Sequence, residues 1–88
     1  MNDYQIEVRI TPRRGILDPQ GNAVAGALGS LGHSGVREVH VGRLVVFGLS
    51  AESEPAARER VDAMCRQLLA NPVIEDYEIR VAAGGNPS

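Results

Sequence analysis

Lysine is missing altogether: each of the nine basic residues among the 88 is arginine. That excludes Schiff-base chemistry, a phosphate-loop lysine and a lysine general base. Tryptophan is absent too, and two Tyr and one Phe are the whole aromatic content, so platforms for stacking nucleic-acid bases are scarce. A single cysteine, Cys65, cannot form an intrachain disulfide and suits a reducing compartment. No segment approaches the roughly 20 apolar residues of a membrane span. The opening "MNDYQIEVRI" alternates, and it has neither the basic lead nor the apolar run of a signal peptide. The expectation is a soluble cytoplasmic protein. The formal charge of −2 is scattered through the chain rather than blocked, which leaves no electrostatic footprint for nucleic acid or an anionic membrane.

What is present is aliphatic. With 43% hydrophobic residues, the chain has the composition of one small globular domain whose core is built from Val, Ile, Leu and Ala. Tyr4, Ile6, Val8 and Ile10 alternate with Gln5, Glu7, Arg9 and Thr11, predicting a first strand that Pro12 ends. Asp18 is suited to cap a helix and Pro19 to start it, with Val24, Ala27, Leu28 and Leu31 at helical spacing until Gly32. Gly21, Gly26 and Gly29 weaken this helix, each by up to about 1 kcal/mol relative to Ala, so it needs tertiary packing.

Val36 to Val41 and Leu44 to Leu49 then read as two strands joined by Gly42-Arg43 in a type II′ hairpin. Ser53 and Pro55 open a second helix with an apolar stripe of Ala57, Val61, Met64, Cys65 and Leu68, ended by Asn71-Pro72. Tyr77, Ile79 and Val81 mark the last strand. Residues 1–82 are expected to form the domain and 83–88 a flexible tail.

The order strand, helix, strand, strand, helix, strand predicts an α+β fold, a ferredoxin-like sandwich. Its four-stranded antiparallel sheet has the order 4-1-3-2, with both helices on one face. In "LVVFGL", Val45, Phe47 and Leu49 occupy one side and Leu44 and Val46 the other. A helical layer on one face leaves Leu44 and Val46 uncovered, which predicts homo-oligomerisation through them.

No catalytic constellation stands out. Cys65 falls by the helical stripe and reads as a small buried hydrophobe rather than a nucleophile. His33 and His40 lack metal-ligand spacing. Glu75 and Asp76 are adjacent, so in an extended segment they point apart, and they read as solvated loop charges. No Gly-x-Ser-x-Gly, Walker or Rossmann motif occurs. Catalytic, cofactor-binding and metal residues are expected to be absent from this chain. The loop "RRGILDP" could place a carboxylate ligand at a helix N-terminus, as amino-acid-sensing modules of the ACT type do at an oligomer interface, but Asp18 already stands at that cap.

Four blocks carry a resemblance: "GILDPQG" (Gly15 to Gly21), "ALGSLG" (Ala27 to Gly32), "VREVHVGR" (Val36 to Arg43) and "MCRQLLANPVIEDYEIRV" (Met64 to Val81). Together, from about Tyr4 to Val81, they resemble the PurS family, the small subunits of phosphoribosylformylglycinamidine synthase. Arg43, where the family usually has Lys, and the glycine-rich first helix are mild departures. The resemblance implies a non-catalytic subunit of a purine-biosynthesis complex that forms a homodimer or homotetramer. Its partners would be a glutaminase that releases ammonia and a large synthetase that uses it with ATP and Mg. The subunit would bridge the two and support ammonia transfer. Arg13, Arg14, Leu17, Asp18 and Arg43 are then the expected partner contacts, and Leu44 and Val46 the oligomer interface.

Overall fold

A computed structural model describes residues 1–83. Strand β1 spans Asn2–Pro12, helix α1 Pro19–Ser30, strand β2 Arg43–Ala51, helix α2 Glu54–Met64 and strand β3 Glu75–Ala83. Ala82 and Ala83 therefore belong to the last strand, and the remainder of the expected tail, 84–88, lies outside the described residues. The sheet is antiparallel with the order β2-β1-β3.

Alternation in β1 decides which face is interior. Ile6, Val8 and Ile10 are essentially inaccessible to water. Their ladder partners are Phe47, Val45 and Arg43 on β2 and Val81, Ile79 and Tyr77 on β3. Helix α2 lays Ala57 and Val61 over this face and Cys65, directly after it, continues the row, all three fully buried. These three fall four residues apart, and two are small, so the helix can approach the strands closely. Burying a side chain such as Val61 contributes about 1.5–3 kcal/mol. At its start the Ser53 hydroxyl accepts the Ala56 N–H at 3.2 Å, a capping contact in line with the sequence.

Beyond Met64 the helix widens into a π turn, Cys65–Leu69, closed by the Ala70 N–H donating to the Cys65 carbonyl at 3.0 Å. The extra residue rotates the downstream side chains about the helix axis. Leu68, expected on the buried stripe, is 83% exposed, and Leu69 packs against the core instead.

The four-stranded sheet is corrected to three strands. Val36–Val41 forms no strand, for three local reasons. Glu38 adopts φ 57°, a left-handed conformation no strand accommodates. Gly42 is not among the positive-φ glycines, which are Gly15, Gly32 and Gly35, yet a type II′ turn requires positive φ at that position. Gly42 instead stays beside β1, so close that a Cβ would collide with the Ile10 carbonyl. No hairpin reversal occurs, and the chain enters β2 without having folded back along it.

The placement of both helices on one face fails with it. Among the described residues α2 is the helix that covers the sheet; α1 forms as predicted but makes no extensive contact with any strand, and its sole buried residue is Gly21. The outline is elongated, 51 × 30 × 16 Å, with a radius of gyration of 16.4 Å, where a compact chain of this length has roughly 12 Å.

Candidate functional site

The loop Arg13–Asp18 joins β1 to the outlying helix, and Asp18 ties that lobe together. Its Oδ1 accepts the Gly21 N–H at 3.0 Å, as a helix cap does, while Oδ2 accepts the Val41 N–H at 3.1 Å from 23 residues downstream. His40 Nδ1 is 3.4 Å from the same oxygen. The two backbone donors, Gly21 first and Val41 second, hold the carboxyl below its ordinary value of 3.8, because each bond is made to the ionised form. Gly21 sits where the helix start meets the Val39 carbonyl, and a Cβ there would strike that oxygen and the Asp18 carboxylate. An incoming ligand carboxylate meets a helix end whose Gly21 amide is already engaged by the Asp18 carboxylate.

The remaining expected partner contacts divide. Arg43 donates to the Leu69 carbonyl at 2.9 Å and to Glu75 Oε1 at 3.0 Å. The same Glu75 oxygen accepts the Asn71 N–H at 2.8 Å. Glu75 is thus a clamp joining the start of β2, the end of the α2 segment and the start of β3, with its side chain only 18% exposed. Its reading as a solvated loop charge is corrected: it lies in β3 and its carboxylate is occupied. Asp76 points the other way, as adjacent strand residues must, to within 3.4 Å of Arg13 Nε. The Glu75-Asp76 pair therefore draws Arg13 and Arg43 to one corner, where the Arg13 N–H also donates to the Ile74 carbonyl at 2.9 Å.

Arg14 and Leu17 differ from these. Arg14 lines an open depression with Pro12, Gly15, Glu38 and His40. Leu17 is 77% exposed, whereas Ile16 is half-buried against the lobe. Leu44 and Val46 lie on the face away from α2, both exposed. There they stand opposite Arg9 and Glu7, with Arg80 4.0 Å from Glu7 on the far side. The two groups of expected contacts are not brought together: one sits at the loop corner, the other on the open sheet face.

Two contributors had no local signal. The Glu75 clamp needs an arginine 32 residues away, and the Asp18–Val41 bond joins residues that no periodicity couples. Burial pushes the Cys65 thiol up from its ordinary value, with the nearby Asp62 charge adding to it, so the thiolate is disfavoured. The Tyr77 hydroxyl donates to Asp62 Oδ1 at 2.5 Å, which raises its pKa. Among the described residues no group of three or more His, Cys, Asp or Glu side chains could hold a metal ion. No described helix is long and apolar enough to cross a membrane.

The described residues form one kind of unit, a small antiparallel α+β fold in which Asp18, Arg43 and Glu75 tie its own segments together while Leu17, Leu44 and Val46 stay exposed. Comparison with known proteins gives that kind a family. The PurS family model, described as phosphoribosylformylglycinamidine (FGAM) synthase, matches residues 5–83. The phosphoribosylformylglycinamidine synthase subunit PurS of Methanocaldococcus jannaschii is 41% identical over 78 residues, covering 89% of this chain and 94% of that protein. The crystal form of Thermus thermophilus PurS described as P21 superposes with a TM-score of 0.78 at 45% identity, covering 97% of this chain and 99% of that one. A chain from the structure of PurLQS of Thermotoga maritima superposes with a TM-score of 0.84 at 28% identity, covering 93% and 100%. The chain belongs to the PurS family, subunits of FGAM synthase in purine biosynthesis.

Proposed function

We propose that this chain is the non-catalytic assembly subunit of a cytoplasmic FGAM synthase complex. It bridges a glutaminase and a large synthetase and supports the passage of ammonia between them. ATP and Mg belong to the synthetase, and the small subunit is itself a homodimer or homotetramer. The observation that carries this reading is the end-to-end likeness to a chain of the PurLQS structure, at a TM-score of 0.84. The chemical rationale is that free ammonia protonates and diffuses away in water, so a scaffold that excludes solvent assists without touching a bond.

Contacts to the larger subunits are assigned to the loop corner, where Arg14 and Leu17 project from a frame held by Arg13, Asp18 and Arg43. Leu44 and Val46 are assigned to contact between copies. Glutamine-dependent turnover, reconstituted from synthetase, glutaminase and this chain, tests the reading. Omission of the chain abolishes turnover with glutamine and leaves turnover with high free ammonium. Arg14→Ala with Leu17→Ala weakens co-purification of the three components while the variant keeps its circular dichroism. Full glutamine-dependent turnover without the chain refutes the assignment.

A further inference from the structure

Two depressions in the outlying lobe share part of their lining. One, of about 430 Å³, holds Arg14 together with Gly15, Glu38 and His40. The other, of about 390 Å³, has the same Gly15, Glu38 and His40 and continues over Ile16, Ala25 and Val39. Each has the volume of a small-molecule site, about 300–1,000 Å³. A charged compartment thus opens into one with aliphatic walls.

The charges in the first compartment are unspent. Nearby, Arg13 and Arg43 are paired with Asp76 and Glu75, and the Asp18 carboxylate is held by the Gly21 and Val41 amides. Arg14 and Glu38 form no ion pair with any described residue, nor with each other, which leaves room between them for a ligand with two charges. Glu38 is also the one non-glycine residue among those described with a positive φ, 57°. Glycine or asparagine adopts that conformation more readily. Residues held in it cluster at ligand clamps, and Glu38 lines both depressions.

We infer that this double depression binds a free α-amino acid with a small aliphatic side chain. Arg14 takes the carboxylate through the paired N–H groups of its guanidinium, and Glu38 takes the α-ammonium. The ligand side chain lies toward Ile16, Ala25 and Val39. A phosphate or a simple carboxylate satisfies Arg14 but faces Glu38, and a simple amine does the reverse; a zwitterion answers both charges at once. No amide of the helix start is needed, so the engagement of Gly21 by Asp18 is no obstacle. The site does not rest on the assembly reading. A larger subunit docked at Arg14 would cover it, so the chain is tested alone, and failure here leaves assembly to the reconstitution assay.

The isotope-labelled chain is titrated with L-valine and followed through its amide NMR signals. N-acetyl-L-valine, which lacks the ammonium, and L-valinamide, which lacks the carboxylate, are the matched probes. The expected result is a saturable shift of the Gly15, Glu38 and His40 amides with L-valine, and an affinity at least tenfold lower for each analogue. Arg14→Gln and Glu38→Gln, both at exposed positions, lower the L-valine affinity at least tenfold while the signals of the sheet stay in place. Ala25→Leu fills the second depression and lowers the affinity for L-valine while glycine binds as before. No saturable shift up to about 20 mM, a concentration that fills a site of millimolar affinity, overturns the inference. Equal affinities for the three probes, or L-valine affinities in the variants equal to the parent's, overturn it as well.

Discussion

Three glycines in one helix make a test whose sign differs from site to site. Alanine in place of a helical glycine ordinarily stabilises by about 0.5–1 kcal/mol, because the unfolded chain loses freedom. At Gly26 and Gly29 a new Cβ meets nothing within 4 Å, and both positions lie off the Val24–Leu28–Leu31 stripe. The full gain is expected there, about 2–8 °C in melting temperature for a domain of this size.

At Gly21 the same Cβ runs into the Val39 carbonyl and the Asp18 carboxylate. A backbone oxygen cannot swing aside as a long side chain would, and moving Asp18 breaks its bonds to Gly21 and Val41. Overpacking of this kind costs about 1–3 kcal/mol and the broken cap about 1 kcal/mol more, which outweighs the propensity gain and leaves a net loss of about 1–3.5 kcal/mol. That corresponds to a fall of roughly 4–28 °C. Thermal melts of the three single variants at one fixed protein concentration, with hydrogen exchange at the α1 amides to localise the effect, decide the matter. A Gly21→Ala protein melting at or above its parent, or three shifts of the same sign, would refute the close approach of α1 to Val39.

Other outcomes are expected from the core and from the titrating groups. Ile6→Ala empties the centre of the buried face and is expected to cost about 2–5 kcal/mol in urea unfolding, a large fraction of the stability of so short a chain. Asp18 has a folded-state pKa below its ordinary 3.8. Its stabilisation is therefore complete above that value and is lost as pH falls below it, through the folded-state pKa. The melting-temperature gap between parent and Asp18→Asn should be constant from pH 7 to about 5 and narrow below pH 4. Because burial raises the Cys65 pKa, iodoacetamide at pH 8 should label it at least tenfold more slowly in the native protein than in urea. Asp62→Asn should lower the Tyr77 phenol pKa toward its ordinary 10, read by ultraviolet titration against Tyr77→Phe.

Where the sequence was legible, one physical rule sufficed locally. Period-two alternation placed Ile6, Val8 and Ile10 inside. Asp18-Pro19 and Ser53 with Pro55 marked the helix starts, and the Leu44/Val46 side of β2 was correctly assigned to the open face. The errors arose where a local preference met a constraint from elsewhere in the chain. Val36–Val41 has strand-forming residues, but pairing required a reversal at Gly42, and the positive φ fell on Glu38 instead. The stripe through Leu68 assumed 3.6 residues per turn and missed the wider turn at Cys65. Of the expected contact residues, Arg43 and Asp18 turned out to be ties within the chain, because their partners at Glu75 and Val41 are remote in sequence. Arg14 and Leu17 are exposed.

The π turn has one further consequence. A helix that carries one residue too many is out of phase with itself, and the two leucines after Cys65 have traded inside for outside without any change of residue type. Removing Gln67 would put the helix back in step. Leu69 would then keep its place against the core at ordinary helical spacing, Leu68 would stay outside, and the apolar groove beside Phe47 would lose Gln67 from its lining. Such a deletion alters no charge and touches no strand, so it separates what the surface offers a neighbour from what the interior needs to fold.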